Sequence, residues 1–194
     1  MITQNEEVRA RIIDIARNIF THFGFKKTTM EEIALATRKG KSSIYYYFSS
    51  KEDIFKAVLE KEAEELKAEL TKKTAGIEDP IERLKVYITV RMRKLEKLTN
   101  FYSALKSDYL SHLEFIEQVR KSYDLEEIRI IAGIIQDGIE SGKFTVDDPH
   151  LSAVAIVTAM KGLEVPLFIN KEHGNFETRL SNLINFLFYG IVKR

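Results

Sequence analysis

The side chains best suited to chemistry in this chain are hydrogen-bond donors concentrated between Thr29 and Lys51. Lysine, serine, threonine and tyrosine donate hydrogen bonds to phosphate oxygens, and lysine and serine also reach the edges of bases. Their clustering in one basic and aromatic segment therefore indicates contact with double-stranded DNA. The candidate DNA-binding residues are Thr29, Lys39, Lys41, Ser42, Ser43, Tyr46 and Lys51.

Two short helices joined by a tight turn are predicted to position these donors. Thr29 can cap the first helix while Glu32 returns to the cap, at the three-residue spacing of a capping box. Arg38-Lys39-Gly40 forms the turn, in which Gly40 is expected to take a backbone angle that larger residues resist. The second helix then begins at Lys41. This arrangement is typical of a helix-turn-helix motif.

The second helix has the composition of a recognition helix, because the polar residues Lys41-Ser42-Ser43 come first and aromatic residues follow. Ile44 and Phe48 lie four positions apart and share a face, so both are predicted to be core residues. The residues Tyr45–Tyr47 spread over most of the helix circumference, and at least one of them must face solvent or DNA. Tyr46 is the expected phosphate donor. An ordinary helical hairpin with a solvated basic turn is the alternative interpretation.

Residues Thr28 to Phe55 resemble the TetR/AcrR family of bacterial regulators, whose signature runs T-x-x-x-I-A, a short turn, then K-G-T-[LI]-Y-x-[YH]-F-x-x-K-x-x-[LI]. The chain departs from this pattern in the turn, at Arg38, where a glycine is usual, and at Lys39 and Gly40. The resemblance implies a small-molecule effector in a C-terminal domain, whose binding changes the spacing of two DNA readers and releases the DNA. The matching residues are Thr29, Ile33, Ala34, Lys41, Ser43, Ile44, Tyr45, Tyr47, Phe48, Lys51 and Ile54.

The charge of the chain is distributed unevenly. Residues 1–51 contain nine Lys/Arg against five Asp/Glu, whereas the remainder contains 21 against 24, for a net charge of +1. A phosphate-binding surface needs a local positive surplus, and the surplus lies in the segment that carries the predicted reader. A solvated charged face would show the same imbalance, so this observation alone leaves both interpretations open.

Apolar residues recur at helical spacing along most of the sequence without a strand pattern, which predicts an all-α fold. Its two parts are an N-terminal three-helix helix-turn-helix DNA-binding domain over residues 1–52 and a C-terminal helical ligand-binding and dimerisation domain over residues 53–194. Besides the reader, helices are predicted over Glu7–Phe23, from a Ser50 cap to about Lys73, and over Ile81–Leu98, Phe101–Tyr109, Leu113–Glu140, Pro149–Ile169 and Phe176–Lys193.

The last two predicted helices carry more apolar surface than one small domain hides. Pro149–Ile169 is apolar nearly all round, and Phe176–Lys193 has one broad apolar stripe, so both must be buried. A two-fold four-helix bundle with a second copy achieves this, which predicts a homodimer. The dimer would present two recognition helices to a pseudo-palindrome with half-sites about 34 Å apart or at a related spacing. A monomer that covers both helices is the alternative.

A ligand cavity is expected within residues 81–170, where large apolar side chains alternate with a few phenols. Glu164 interrupts an apolar helix, and a buried carboxylate needs a partner in a ligand or in another helix. The aromatic and methionine content favours a bulky apolar or amphipathic effector. The candidate ligand-binding residues are Met92, Tyr102, Tyr109, Phe115, Tyr123, Met160 and Glu164.

Catalytic, metal and cofactor motifs are missing from the sequence. Gly40-Lys41-Ser42 resembles the end of a P-loop, but Leu35 stands where that motif needs a glycine. The G-x-S-x-G motif of a serine nucleophile is not present. The chain also contains no cysteine, which excludes a thiolate metal site or a disulfide framework. The histidines have no metal-ligand spacing; they are His22, His112, His150 and His173. We therefore expect a protein that is not an enzyme and holds no metal or cofactor.

Together these features predict a ligand-responsive DNA-binding regulator, a repressor released from its operator by the effector. Lys51 and Thr29 would bind phosphates beside helix N-termini, whereas Ser43, with Ser42 or Lys41, would meet base edges. The expected location is the cytoplasm, with no membrane partner, because no apolar run approaches about 18 residues. The alternative is an all-helical small-molecule carrier or interaction module, which would lack the steep salt dependence of phosphate binding.

Overall fold

The computed structural model describes residues 4–98, 100, 114–169 and 175–190. Within these ranges the regular elements are helices and there is no strand, which confirms the all-α prediction. Eight helices are described there: α1 Gln4–Phe23, α2 Met30–Thr37, α3 Lys41–Tyr47, α4 Lys51–Thr74, α5 Pro80–Lys97, α6 Glu114–Glu140, α7 Pro149–Ile169 and α8 Phe176–Tyr189.

The chain divides into two compact units. The first comprises Met1–Glu65 with Leu98–Val119, and the second comprises Leu66–Lys97 with Arg120–Arg194. The long helix α4 therefore contributes its first part to one unit and its last part to the other. The domain limits of 1–52 and 53–194 concern function as well as compactness, and they stay a prediction.

The core of the first unit is an aromatic cluster between α1, the segment before α2, and α4. The ring centroids of Phe20 and Phe55 lie 5.0 Å apart in an edge-to-face pair, and those of Phe25 and Phe55 lie 4.7 Å apart. Such pairs contribute about 0.5–1.5 kcal/mol each beyond the burial of their surface. Ile12 and Ile54 are fully buried beside this cluster. The cluster gives the short helices α2 and α3 a fixed base.

Local signals account for several helix ends. Gly24 takes a φ of 78° directly after α1 and ends that helix, because glycine adopts this left-handed conformation readily. The Ser50 hydroxyl accepts a hydrogen bond from the Asp53 amide at 3.0 Å, which confirms the predicted cap of α4. The prediction for the last helix was too long, because Gly190 takes a φ of 66° and α8 ends at Tyr189. The predicted helix Phe101–Tyr109 lies outside the described residues.

The second unit packs α5, α7 and α8 against one another, with Ile88, Met92 and Met160 completely buried. After α6 the chain turns back, and the ring of Phe144 lies directly against Gly138. A side chain at Gly138 would occupy the space of that ring, so the glycine allows this turn to pack against α6. By contrast, nothing lies within 4 Å of where a Cβ atom at Gly133 would be.

A pair of glycine-to-alanine variants tests this packing. We expect Gly138→Ala to lower the free energy of unfolding by about 1–3 kcal/mol, because Phe144 must leave its position. Gly133→Ala, on the same helix, should raise it by about 0.5–1 kcal/mol, because alanine is the better helix former. Urea unfolding followed by circular dichroism measures both. Equal effects of the two substitutions would contradict the packing.

Candidate nucleic-acid interface and ligand cavity

The N-terminus of α2 is fixed by the predicted capping box. The Thr29 hydroxyl accepts a hydrogen bond from the Glu32 amide at 3.2 Å, and the Glu32 carboxylate accepts one from the Thr29 amide at 2.8 Å. On the inner face of the helix, Ile33, Ala34 and Thr37 are buried. These contacts confirm the first half of the helix-turn-helix.

The turn between α2 and α3 differs from the prediction. Arg38, not Gly40, takes the left-handed conformation, with a φ of 55°. The amides of Arg38 and Lys39 donate to the carbonyls of Leu35 and Ala34, which is the hydrogen-bond pattern of a Schellman motif. Gly40 is extended and serves as the N-cap of α3, with no side chain to contribute. The left-handed residue stands where the resemblance led us to expect a glycine.

Helix α3 is anchored by its later residues and exposes its earlier ones. Ile44 and Phe48 are buried, which confirms both as core residues. Lys41 and Ser42 are exposed and Ser43 is half-buried, as base-reading side chains must be to reach a groove. Tyr46 is 72% exposed, which confirms that it faces away from the core. Contact of these side chains with DNA stays a prediction.

An asparagine in α1 contacts the tyrosines of α3. The Tyr47 hydroxyl donates to the Asn5 side-chain oxygen at 2.8 Å, and the Asn5 amide donates to the Tyr46 oxygen at 3.4 Å. Tyr46 therefore acts as an acceptor within the protein, and its hydroxyl proton stays available for donation to another group. Sequence reasoning missed Asn5, because its partners lie more than 40 positions away.

Lys41 forms an ion pair on the exposed face of the reader. Its ammonium group hydrogen-bonds to the Glu31 carboxylate, and both side chains are more than half exposed. This hydrogen bond raises the pKa of Lys41 and lowers the pKa of Glu31. A phosphate approaching Lys41 must compete with Glu31. The carboxylate therefore weakens the attraction of this surface for DNA of any sequence.

Lys51 has a structural role that the sequence did not suggest. Its ammonium group donates to the carbonyls of Phe25 and Thr28 at 2.9 and 2.8 Å, and it lies 4.4 Å from the centre of the Phe25 ring. The side chain thus ties the start of α4 to the segment before α2. Lys51→Ala would remove this tie along with any contact that the ammonium group makes with a phosphate. Binding of Lys51 to phosphate stays a prediction.

The candidate ligand-binding residues do not form one site. Met92 and Met160 are core residues, and Glu164 is buried in an ion cluster. Tyr123 is half-buried and lines a cavity. Tyr102 and Tyr109 lie outside the described residues, as does the side chain of Phe115.

The buried ion cluster joins α5, α6 and α7 around one guanidinium group. Arg91 Nε donates to Glu127 Oε1 at 2.5 Å, and Arg91 Nη1 lies 2.8 Å from Glu164 Oε1. The Tyr87 hydroxyl also donates to Glu127 Oε1, at 3.3 Å. Sequence reasoning anticipated a partner for Glu164 but did not identify Arg91. A signal was present, since Arg91 falls in phase with the apolar stripe of α5.

Burial and charge shift the titration of this cluster. Burial raises the pKa of Glu164, although Arg91 opposes the shift. Burial also raises the pKa of the Tyr87 hydroxyl, and the neighbouring Glu127 carboxylate adds to the effect. For Arg91, burial alone would lower the pKa, but Glu127 and Glu164 outweigh it and the pKa rises. Arg91 therefore stays charged, whereas burial favours the protonated form of Glu164.

Two cavities lie within the second unit. The first, which we call the α4–α6 cavity, has a volume of about 160 Å³ and touches the ion cluster. Its lining residues are Lys67, Leu70, Thr71, Thr74, Tyr87, Tyr123, Glu126, Glu127 and Ile130. The second, the α5–α8 cavity, has a volume of about 340 Å³, and its lining residues are Leu84, Ile88, Ile135, Lys143, Phe144, Thr145, Val146, Ser152, Ile156, Leu187 and Phe188. Either could hold a small molecule.

Within the part of the chain that the structure describes, no group of three or more potential metal ligands comes together. None of the helices described is long and apolar enough to cross a membrane.

The helix-turn-helix and its exposed donors define a DNA-binding transcription regulator. Residues 12–58 match the family model of bacterial regulatory proteins of the tetR family, and residues 80–181 match that of the tetracyclin repressor-like C-terminal domain. The chain belongs to the TetR family. A curated relative, the uncharacterized HTH-type transcriptional regulator YhgD of Bacillus subtilis, is 28% identical over 151 residues, which are 75% of this chain and 76% of YhgD.

Solved structures show the same fold with different ligands. A putative transcriptional regulator from Saccharomonospora viridis in complex with choline has a TM-score of 0.80 and 20% identity, covering 97% of this chain and 99% of its own. FadR from Bacillus subtilis in complex with stearoyl-CoA has a TM-score of 0.72 and 22% identity, covering 94% of this chain and 99% of its own. These likenesses establish the fold, and the different ligands leave the effector of this chain to be argued from its own residues.

The Lys41–Glu31 pair yields a prediction about DNA affinity. We expect Glu31→Gln to strengthen binding severalfold to operator and unrelated DNA alike. In this variant Lys41 no longer has to leave a carboxylate in order to bind a phosphate. The slope of log affinity against log salt should become steeper by about one. Fluorescence anisotropy across a salt series measures both. Glu78→Gln, an exposed substitution outside the first unit, controls for net charge, and an equal gain in that variant would contradict the prediction.

The shifted pKa of Glu164 yields a prediction about stability. In the native state the carboxyl group of Glu164 keeps its proton to a higher pH than the ordinary Glu pKa of 4.5. The free energy of unfolding of the wild type therefore includes a contribution that is lost as pH rises through the raised pKa. Glu164→Gln lacks this contribution, so its free energy of unfolding should rise relative to that of the wild type between about pH 4 and pH 8. Urea unfolding over that range measures it. Glu64→Gln, exposed on α4, is the control, and the same trend there would refute the assignment.

Proposed function

We propose that this protein is a ligand-responsive repressor that binds a pseudo-palindromic operator as a homodimer. The observation that carries the proposal is the geometry of α2 and α3, in which Ile44 and Phe48 anchor the recognition helix while Lys41, Ser42 and Tyr46 are exposed. Membership in a family of DNA-binding regulators supports the same function. The effector would occupy a cavity in the second unit.

Exposed surface on the last two helices supports the dimer. Leu151 on α7 is 64% exposed, and Ala155 and Thr158 follow it on the same exposed stripe. On α8, Phe186 and Tyr189 are 56% and 61% exposed. The expectation that both helices are buried is met only if a further surface covers these residues. A second copy, packed in a four-helix bundle, supplies that surface and places two recognition helices on one operator.

We assign different roles to two groups of reader residues. Ser43, with Ser42 or Lys41, would contact base edges, whereas Thr29, Lys39 and Tyr46 would contact phosphates. Lys51 could share its ammonium group between a phosphate and the two carbonyls that it already binds. Substitutions of the residues that contact base edges should then reduce discrimination between operators. Substitutions of the residues that contact phosphates should reduce affinity for all DNA.

The experiment measures fluorescence anisotropy on the duplex upstream of the protein's own gene and on a scrambled duplex, at about 150 mM salt. A specific regulator should prefer the first by about a thousandfold or more, with two subunits on each site. Ser43→Ala should alter the ratio between related operators, whereas Lys39→Ala should weaken all duplexes to the same extent. Equal weak binding to both duplexes, followed by a genome-wide selection that enriches no fragment, would favour a carrier without specific DNA binding.

A further inference from the structure

We propose that the α4–α6 cavity binds the positively charged end of a small organic cation, with Glu127 as the group that recognises the charge. This inference rests on the proposed function, in which an effector occupies the second unit, and it names the chemical class of that effector. The carboxylate, the charge balance and the lining of the cavity each support it.

Glu127 has one carboxylate oxygen without a partner. Its side chain is buried, with 2% of the residue exposed, and it lines the cavity. Oxygen Oε1 accepts from both Arg91 and Tyr87, whereas Oε2 accepts no hydrogen bond from any residue that the structure describes. A buried carboxylate with an unpaired oxygen is costly, and a positive charge held in the cavity that Glu127 lines would offset this cost.

The charges around the cavity have a negative surplus while Glu164 is ionised. At its wall, the Lys67 ammonium pairs with the Glu126 carboxylate at 2.6 Å, which leaves Glu127 as the remaining charge of the lining. Behind the wall, one guanidinium group, Arg91, lies between two carboxylates, Glu127 and Glu164. With both glutamates ionised, this group of five carries one net negative charge. An anionic ligand would add to the imbalance, whereas a cation removes it.

The rest of the lining suits an organic cation better than a hydrated metal ion. Tyr87 and Tyr123 bring two aromatic rings to the cavity, and Leu70 and Ile130 bring apolar surface. Aromatic rings attract ammonium groups through their negative faces, and most strongly where water is excluded. Inorganic cations prefer several oxygen ligands, and the described residues contain no such cluster.

The size of the cavity limits the ligand. A cavity of about 160 Å³ is close to the roughly 150 Å³ engineered cavity that holds benzene in another protein. A quaternary ammonium headgroup has similar bulk. The α5–α8 cavity is larger, and its described lining contains Lys143 and no acidic residue. That cavity suits an apolar or anionic molecule, so the two cavities separate ligands by charge.

Calorimetric titration of the full-length protein tests the proposal with probes of matched shape. Choline and 3,3-dimethylbutan-1-ol differ in one atom, a charged nitrogen against a neutral carbon, and 3,3-dimethylbutanoate supplies the anion. We expect choline to bind about tenfold or more tightly than the alcohol and the carboxylate to bind least. Equal affinities for choline and the alcohol would overturn the proposal. So would the absence of choline binding up to about 10 mM, a concentration that reveals even weak complexes.

Matched variants identify the recognising group. Glu127→Gln keeps the shape but removes the charge and should weaken choline binding by about tenfold to a hundredfold. Glu140→Gln removes the same charge from an exposed position on the same helix, outside the lining of the cavity, and should change binding less than about threefold. Tyr123→Leu, at a half-buried position, should reduce the preference for choline over the alcohol, which keeps the proposal testable if Glu127→Gln fails to fold. An unchanged affinity in folded Glu127→Gln would overturn the assignment.

The titration uses protein without DNA, so its outcome is separate from that of the proposed function. Choline binding that depends on Glu127 supports the cation site even if no operator is found. Specific operator binding by a protein that does not prefer choline over the alcohol would overturn the cation site and leave the regulator in place. Release of operator DNA by choline from wild type, but not from Glu127→Gln, would support both.

Discussion

The buried guanidinium group of Arg91 is the constraint on which the second unit depends. It links α5 to Glu127 on α6 and to Glu164 on α7, and it stays charged because these two carboxylates surround it. Removing one partner of a buried ion pair costs about 3–5 kcal/mol of stability, whereas replacing the whole pair with apolar residues is often neutral. Such a pair therefore determines how the helices are arranged more than it adds to their stability. Because Glu127 also forms the wall of a cavity, the contact that fixes three helices also gives that cavity its charge.

A second arginine organises the first unit by the same rule. Arg17 donates to Glu62 at 3.0 Å and holds Glu65 through two bonds. Burial alone would lower the pKa of Arg17, but the two carboxylates outweigh it and the pKa is raised. Asn100, which follows α5 in the chain, donates to the Arg17 carbonyl and to Glu62. These bonds hold Asn100 against α1, the helix that also carries Asn5 beside the recognition helix.

The sequence predicted the features that nearby residues decide, and it failed where distant residues or backbone geometry decide. The capping box of Thr29 and the burial of Ile44 and Phe48 depend on spacings of three and four residues, and the structure confirms both. The left-handed turn residue was placed at Gly40 from composition, but the hydrogen bonds that close α2 put it at Arg38. Glu164 was recognised as needing a partner, yet nothing local indicates which of the many distant basic residues meets it.

The charge count of residues 1–51 overstates the free positive charge of the reader. Arg17 is held by two carboxylates, Lys41 by Glu31, and Lys51 by two carbonyls, while the Arg9 guanidinium lies 4.8 Å from the centre of the Phe48 ring. Each of these groups must exchange or share a partner before it binds a phosphate. Any phosphate contact by these groups would replace or share an internal contact, which lowers affinity for every sequence. A cost common to all sequences cancels from the difference between two operators, so this internal pairing would lower affinity and leave discrimination unchanged.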